Sequence, residues 1–332
     1  FAAGVGGADI VTVRPFTDAL GLPSKLGRRI ARNTQLIAQE ESSLGKVLDP
    51  AGGAWSIGKI AEDMAEAAWT IFQDIEAQGG LTASLVSGHI QEQIAKVRAH
   101  RKRNVALRKE PVTGVSDFPL LEETKAETIS VDISATTDSA TKPTGRKPSS
   151  RAIADLIEAA SLGATLSDLS VASEGAEADP LWPIRLAKPF ELLRDHADQY
   201  ERKTGARPQI LLAALGPLAE HTARATFAAN FFAAGGLQSK VVTGSAEELG
   251  RKFSESGCVL ACICGSDERY AQDAADAARA IGAAGAGRLY LAGKPNDSEQ
   301  DWREAGVDEY IHIGVDVISS LELAHTELGL SL

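Results

Sequence analysis

His221 is the histidine that the sequence places between the end of a strand and the start of a helix, in Leu215-Gly216-Pro217-Leu218-Ala219-Glu220-His221. An imidazole titrates near neutrality and can act as acid, base or metal ligand, so this position is the first candidate for chemistry, against a solvated or helix-capping ring. The other five, His89, His100, His196, His312 and His325, include no pair four residues apart, the spacing by which one helix presents two imidazoles to a metal. A metal site is therefore not expected. Cys258, Cys262 and Cys264 stand at even separations and would share one face of a strand, where thiols pack as small core residues. Gly4-Val5-Gly6-Gly7 precedes its strand and Gly282-Ala283-Ala284-Gly285-Ala286-Gly287 closes a helix, whereas a phosphate loop opens one. The basic run Arg98-Ala99-His100-Arg101-Lys102-Arg103, with Arg108 and Lys109, ends a helix and reads as a solvated face rather than an anion site. Neither a G-x-S-x-G elbow nor a P-loop is present.

The elements that must position these residues fall into three stretches. Residues 8–13 (ADIVTV) read as a buried strand, and Leu26, Ile30, Asn33 and Ile37 mark one face of a following helix. Asp49-Pro50-Ala51-Gly52-Gly53 breaks the chain. The stripe Ile60, Met64, Ala68, Ile71, Phe72 and Ile75 then predicts a helix stopped by Gly79-Gly80, and another helix is expected over 84–108. Residues 128–150 are rich in Ser, Thr and Pro and read as a mobile linker, followed by a short amphipathic helix through Ile153, Leu156, Ile157 and Ala160. After a helix over 189–204, strands at 209–215, 237–242, 258–264, 288–292 and 309–313 alternate with helices. That alternation predicts a flavodoxin-like doubly wound parallel sheet. Ligands of such sheets sit beyond the carboxyl ends of the strands, which is where His221 falls.

Composition narrows the function classes. The sequence has 332 residues with 34 basic and 45 acidic side chains, a formal charge of −11 that repels nucleic acid and anionic membranes. Aromatics are only 5%, too few for base-stacking platforms. Apolar runs fall short of the roughly eighteen residues of a membrane span, and the three Cys form no disulfide framework, so a cytoplasmic setting is expected. Phe1 opens a phrase that reads as a helix end leading into a strand, so the chain is expected to begin within a domain.

The segments Arg29-Ile30-Ala31-Arg32-Asn33-Thr34-Gln35-Leu36, Gln39-Glu40-Glu41-Ser42, Asp49-Pro50-Ala51-Gly52-Gly53 and Ala68-Trp69 through Glu76 to Gly79-Gly80 closely resemble the methylmalonyl-CoA mutase family. The resemblance implies the end of a (β/α)₈ barrel over 1–109, a linker with a disordered stretch and a short helix over 110–184, and a degenerate flavodoxin-like cobalamin-binding-type domain over 185–332. In catalytic members the loop after the first strand of that domain reads D-x-H-x-x-G, and its His is the lower ligand to cobalt. Those positions fall here on Leu218, Glu220 and Ala223, with His221 one residue late and turned by about 100° around the helix. The family's S-x-L after the third strand falls on Cys264 to Ser266, its G-G after the fourth on Ala292 and Gly293, and a Glu associated with the adenosyl ribose near Gly58.

The phrase from Leu215 to Phe231 is itself similar to the family's small, cofactor-free subunit. The resemblance therefore implies a carboxyl-terminal fragment of a structural chain with no catalytic residue and no cobalamin of its own. Its partner would be the large catalytic subunit, which carries adenosylcobalamin, in a heterodimer that isomerises methylmalonyl-CoA and succinyl-CoA. Two other readings stay open on the residues: an active adenosylcobalamin-dependent acyl-CoA mutase chain with atypical cobalt coordination, and a stand-alone flavodoxin-like binding module.

Overall fold

The computed structural model describes residues 1–129, 144–145, 147–150, 152–169 and 177–330. Most of the Ser/Thr/Pro-rich stretch read as a linker lies outside the described residues. The chain divides into two compact units, one formed by Phe1–His89 with Thr124–Asp179, the other by Ile90–Glu123 with Pro180–Leu332. No helix among the described residues is long and apolar enough to cross a membrane.

The first unit is helical. Helix α1 (Lys25–Leu36) starts where the Ser24 hydroxyl accepts the Gly27 N–H at 3.4 Å, and it runs on into a π-helical turn, Ile37–Glu41. Its buried residues are Gly27 and Ala31, while the apolar face expected from Leu26, Ile30 and Ile37 is exposed. Helix α2 (Trp55–Ala77) follows the Asp49-Pro50 turn and ends before Gly79, whose φ of 95° suits a residue without a side chain. Helices α3 (Gly80–Val86) and α4 (His89–Ala106) replace the single helix expected over 84–108, because Gly88 adopts a φ of 81° and breaks the ladder. Residues 8–13 join no sheet. The only described ladder in this unit pairs Leu22–Pro23 antiparallel with Thr128–Ile129, and Val11 instead gives its carbonyl to Gln35 Nε2 at 2.8 Å. A strand needs a neighbour to satisfy its backbone, and no described residue supplies one to 8–13. Helix α5 (Ile153–Ser161) falls where the apolar spacing predicts it.

The second unit is a doubly wound α/β layer. Its parallel strands β1 (Gln209–Ala214), β2 (Gln238–Thr243), β3 (Leu260–Cys264), β4 (Arg288–Ala292) and β5 (Glu309–Ile311) lie in the order β2-β1-β3-β4-β5. That order is the flavodoxin-type arrangement, with its switch point between β1 and β3. Alternation along the strands sorts the core into two faces. Ile210, Leu212, Cys262 and Tyr290 pack with Phe190, Leu193, Phe231, Phe232 and Leu321 from α6 (Lys188–Thr204), α7 (Leu218–Ala234) and the last helix. Leu211, Ala213, Ile263 and Leu291 pack on the other side with Phe253, Tyr270, Ile281 and Trp302. These come from α8 (Ala246–Ser256), from the Tyr270–Ala274 π turn that leads into α9 (Ala275–Ala283), and from α10 (Glu299–Glu304). Each such aromatic contributes roughly 2–3 kcal/mol by leaving water. The last helix, α11 (Val317–Glu327), is capped by Asp316, whose carboxylate accepts the Ser319 N–H at 3.0 Å.

From Ile90 onward α4 and the loop after it belong to this second unit. Val105 is buried in the first core face, and Arg194 of α6 donates to the carbonyls of Gly114 (3.2 Å), Val115 (2.7 Å) and Ala234 (3.1 Å). Arg108, read in the sequence as part of a solvated basic face, has a φ of 55° and holds its guanidinium 5.4 Å from the Phe231 ring centroid.

Candidate functional site

The carboxyl-terminal edge of the sheet at the switch point is built by three strand ends. After β1 the chain turns at Gly216, whose φ of 74° favours glycine, and Pro217 starts α7. A Cβ added at Gly216 would stand 2.7 Å from Glu220 Oε2 and 2.8 Å from Arg269 Nε, so the turn is closed over by side chains. After β3, Gly265 leads to Ser266, whose hydroxyl accepts the Arg269 N–H at 3.3 Å and opens the helical turn Asp267–Arg269. After β4, the Gly293 N–H donates to Ile311 O at 3.0 Å and extends the sheet by one residue.

His221 is closed off from solvent at the base of this edge. With Ala225, Ala228 and Phe232 it lies on the buried stripe of α7, and it is 4% exposed. Its Nδ1 lies 3.2 Å from the Gly216 carbonyl, which can only accept, so the proton sits on Nδ1 and the ring is tied to its own loop. Leu218 is 73% exposed, and Ala223 lies on the outer side of the helix. Glu220 alone of the three loop positions turns toward the edge, where its carboxylate accepts from Arg269 Nε at 2.6 Å. That bond, together with the Glu220 charge, raises the Arg269 pKa above its ordinary value.

The centre of the edge is occupied by residues that the sequence reading did not single out. Arg224 Nη1 donates to Gly265 O at 2.8 Å and Nη2 to Asp267 Oδ1 at 2.6 Å, and its guanidinium lies 4.7 Å from the Tyr270 ring centroid. Burial works against the Arg224 charge, and the bond to Asp267, the contact with Tyr270 and the Asp267 charge together outweigh it, leaving the pKa raised. The Tyr270 hydroxyl accepts from Gly265 N–H at 3.0 Å and donates to Ala292 O at 2.7 Å, joining the ends of β3 and β4. Burial pushes its pKa up, so it is a neutral hydrogen-bonding group and not a titrating one. Two features of the sequence are compatible with these positions, although neither separates them from solvated residues. Arg224 stands four residues after Glu220, and Ser266-Asp267-Glu268-Arg269 has the composition of a helix start.

The remaining positions singled out in the sequence divide between core and loop. Cys264 is buried with its Sγ 4.0 Å from that of Cys262, and burial raises the Cys262 pKa well above the ordinary thiol value. Cys258 precedes the strand rather than sharing it, because β3 begins only at Leu260. Ala292 is buried beneath the Tyr270 hydroxyl, and Gly293 lies against Tyr270 and Arg224. Gly58 lies on α2, in the other unit, with open space where a side chain would begin. Among the described residues no three His, Cys, Asp or Glu side chains stand close enough to hold a metal ion.

Comparison with known proteins gives these positions a context. The small subunit of methylmalonyl-CoA mutase from Streptomyces virginiae is 40% identical over 99% of this chain and 46% of its own length. The corresponding small subunit from Propionibacterium freudenreichii subsp. shermanii is 31% identical over 100% of this chain and 46% of its own. The mitochondrial methylmalonyl-CoA mutase of Mus musculus is 35% identical over 40% of this chain and 18% of its own. The chain thus spans about half the length of the curated relatives it matches over its whole extent. A solved structure of a novel cobalamin-binding protein from Desulfitobacterium hafniense matches with 16% identity and a TM-score of 0.31, over 42% of this chain and 67% of that one, a likeness too slight to build on. The family model for methylmalonyl-CoA mutase matches residues 1–174, more than half of the chain, and with that match the chain belongs to the methylmalonyl-CoA mutase family.

Proposed function

We propose that the chain is the carboxyl-terminal part of a small subunit of methylmalonyl-CoA mutase, working as scaffold and interface beside a catalytic subunit that holds adenosylcobalamin. In this reading residues 1–109 complete a (β/α)₈ barrel, 110–184 link, and 185–332 form a cobalamin-binding-type domain that holds no cobalamin. The heterodimer, in the cytoplasm, interconverts methylmalonyl-CoA and succinyl-CoA, and this chain contributes no residue to the radical chemistry. The relatives named as small subunits, aligned over almost the whole chain, support the assignment.

The observation that carries the cofactor-free reading is the filled edge of the sheet. A cobalt ligand needs a neutral nitrogen with its lone pair directed outward and its other ring nitrogen held by an acceptor. Position 220 supplies a carboxylate already bound to Arg269, and the imidazole of His221 belongs to the helix's buried stripe. Arg224, Tyr270 and Arg269 occupy the space beside the Gly216 and Gly293 turns, where a ligand at the switch point would enter. These residues do not suit a corrinoid.

The test is a titration of the chain with adenosylcobalamin and with hydroxocobalamin, followed by the corrinoid absorption spectrum and repeated with a catalytic subunit present. No binding to the chain alone, with one cobalamin per stable heterodimer, is expected. A corrinoid bound by the isolated chain with an altered cobalt spectrum would overturn the cofactor-free reading in favour of a catalytic chain with atypical coordination. Failure of the two chains to co-elute would overturn the pairing.

A further inference from the structure

One groove of the second unit gathers positive charge against the bias of the whole sequence. It lies where the last turns of α4, residues 183–187, the start of α6 and the start of α11 meet, and it encloses about 620 Å3. Its floor is apolar: Val105 and Leu193 are buried core residues, and Leu192 and Ile184 keep exposed apolar surface beside them. Arg98, Lys102 and Arg103 line it from α4, and Arg185 and Lys188 from the other side. Arg185 is paired with Glu191 at 2.6 Å, whereas Arg98, Lys102, Arg103 and Lys188 form no ion pair among the described residues. In a chain of formal charge −11, four unpaired cations around one apolar depression repel one another and gain from an anion between them. His196 lines the same groove and has a buried Nδ1 with no hydrogen-bond partner.

We propose that this groove binds a small organic phosphate, its aromatic or aliphatic body on the Leu192–Leu193 floor and its phosphate among Arg98, Lys102 and Lys188. The volume falls within the roughly 300–1,000 Å3 of small-molecule sites, and the pairing of an apolar floor with a few convergent polar groups is the usual anatomy of such sites. A compact anion is favoured over an acidic peptide helix because Asp316 and Glu322 stand on the third wall and would repel the flank of a longer acidic ligand. Asp316 is already committed to capping α11, which leaves the α4 and α6 side as the anion's side. No residue of the switch-point edge takes part, so the proposal stands or falls apart from the mutase reading.

The test uses 1-naphthyl phosphate as the probe, with inorganic phosphate and 1-naphthol as its two halves, titrated into the 332-residue chain by calorimetry and probe fluorescence at low salt. Saturable binding at least tenfold tighter than either half is expected. The Arg98→Glu, Lys102→Glu double variant should weaken it at least tenfold with an unchanged far-ultraviolet dichroism spectrum, and Leu192→Ala should weaken the probe while leaving inorganic phosphate unchanged. Absence of saturation, equal affinity for inorganic phosphate, or unaltered binding by the double variant would each overturn the proposal. Binding of an acidic amphipathic peptide in place of the probe would also overturn it, and would reassign the groove to a protein partner.

Discussion

Tyr270 shows how one hydroxyl can hold two strand ends. It accepts the Gly265 N–H and donates to Ala292 O, and its ring carries the Arg224 guanidinium. In Tyr270→Phe the buried Gly265 donor loses its acceptor, a loss worth about 1–3 kcal/mol. Urea unfolding should show that decrease as a lower midpoint at unchanged slope. His325 gives a second prediction at this scale. It is fully buried, its Nε2 lies 2.9 Å from Gly235 O, and burial, assisted by the nearby His196, lowers its pKa to about 4 against the hydrogen bond to Gly235. The folded state therefore refuses a proton that the unfolded chain takes up near pH 6.5. Stability is full above about pH 6.5, falls as the pH drops from there toward 4, and levels off below, by on the order of 3 kcal/mol. His325→Gln, which can still donate to Gly235 O, should flatten that part of a pH series of denaturation curves.

Asp168 and Gly88 decide local structure at the scale of elements. The Asp168 carboxylate accepts from the N–H and hydroxyl of both Thr144 and Thr165 and from the Gly145 N–H, which holds its pKa far below the usual carboxylate range against the cost of burial. The stability it gives is present above the unfolded pKa of about 3.9 and is lost as the pH falls below it toward the depressed folded value. Asp168→Asn should remove that acid sensitivity and increase amide exchange at Gly145. Gly88 separates α3 from α4 with its φ of 81° and no atom within contact of a would-be side chain, so Gly88→Ala tests backbone strain alone. A loss of about 1–2 kcal/mol on thermal unfolding is expected. The five strands of the sheet were legible to within two residues at each end, because an apolar run bounded by turns leaves a parallel sheet few other registers. Residues 8–13 have the same composition and form no ladder among the described residues, since a strand is a property of two chains and composition describes one. Arg224 and Arg269 escaped notice because an arginine paired across a loop has the same sequence signature as one in water. His221 was the reverse case. Its position in the sequence marked it for chemistry, and its register with Ala225 and Ala228 put it in the core.

The scale of the whole molecule is set by what the first unit leaves uncovered. Helix α2 buries none of its side chains, although Ile60, Met64, Trp69, Ile71 and Phe72 make it apolar. So much exposed apolar surface on one helix marks a docking face rather than scattered surface residues. On the proposed reading the face is covered by the rest of a barrel, and the small-subunit relatives are about twice the length of this chain. Tryptophan emission reads this directly. Of the four tryptophans, Trp55 is 91% and Trp69 60% exposed, Trp182 is exposed too, and Trp302 is 2% exposed in the sheet core. The emission of the chain alone should therefore be dominated by water-facing indoles. When an amino-terminal barrel segment from a full-length relative is supplied in trans, Trp55 and Trp69 leave water and the spectrum should move to the blue. Trp69→Phe should remove much of that movement and Trp302→Phe little of it, because Trp302 is already dry. An unshifted spectrum in a complex that co-elutes would mean that α2 stays in water, and that the barrel segment docks on another face.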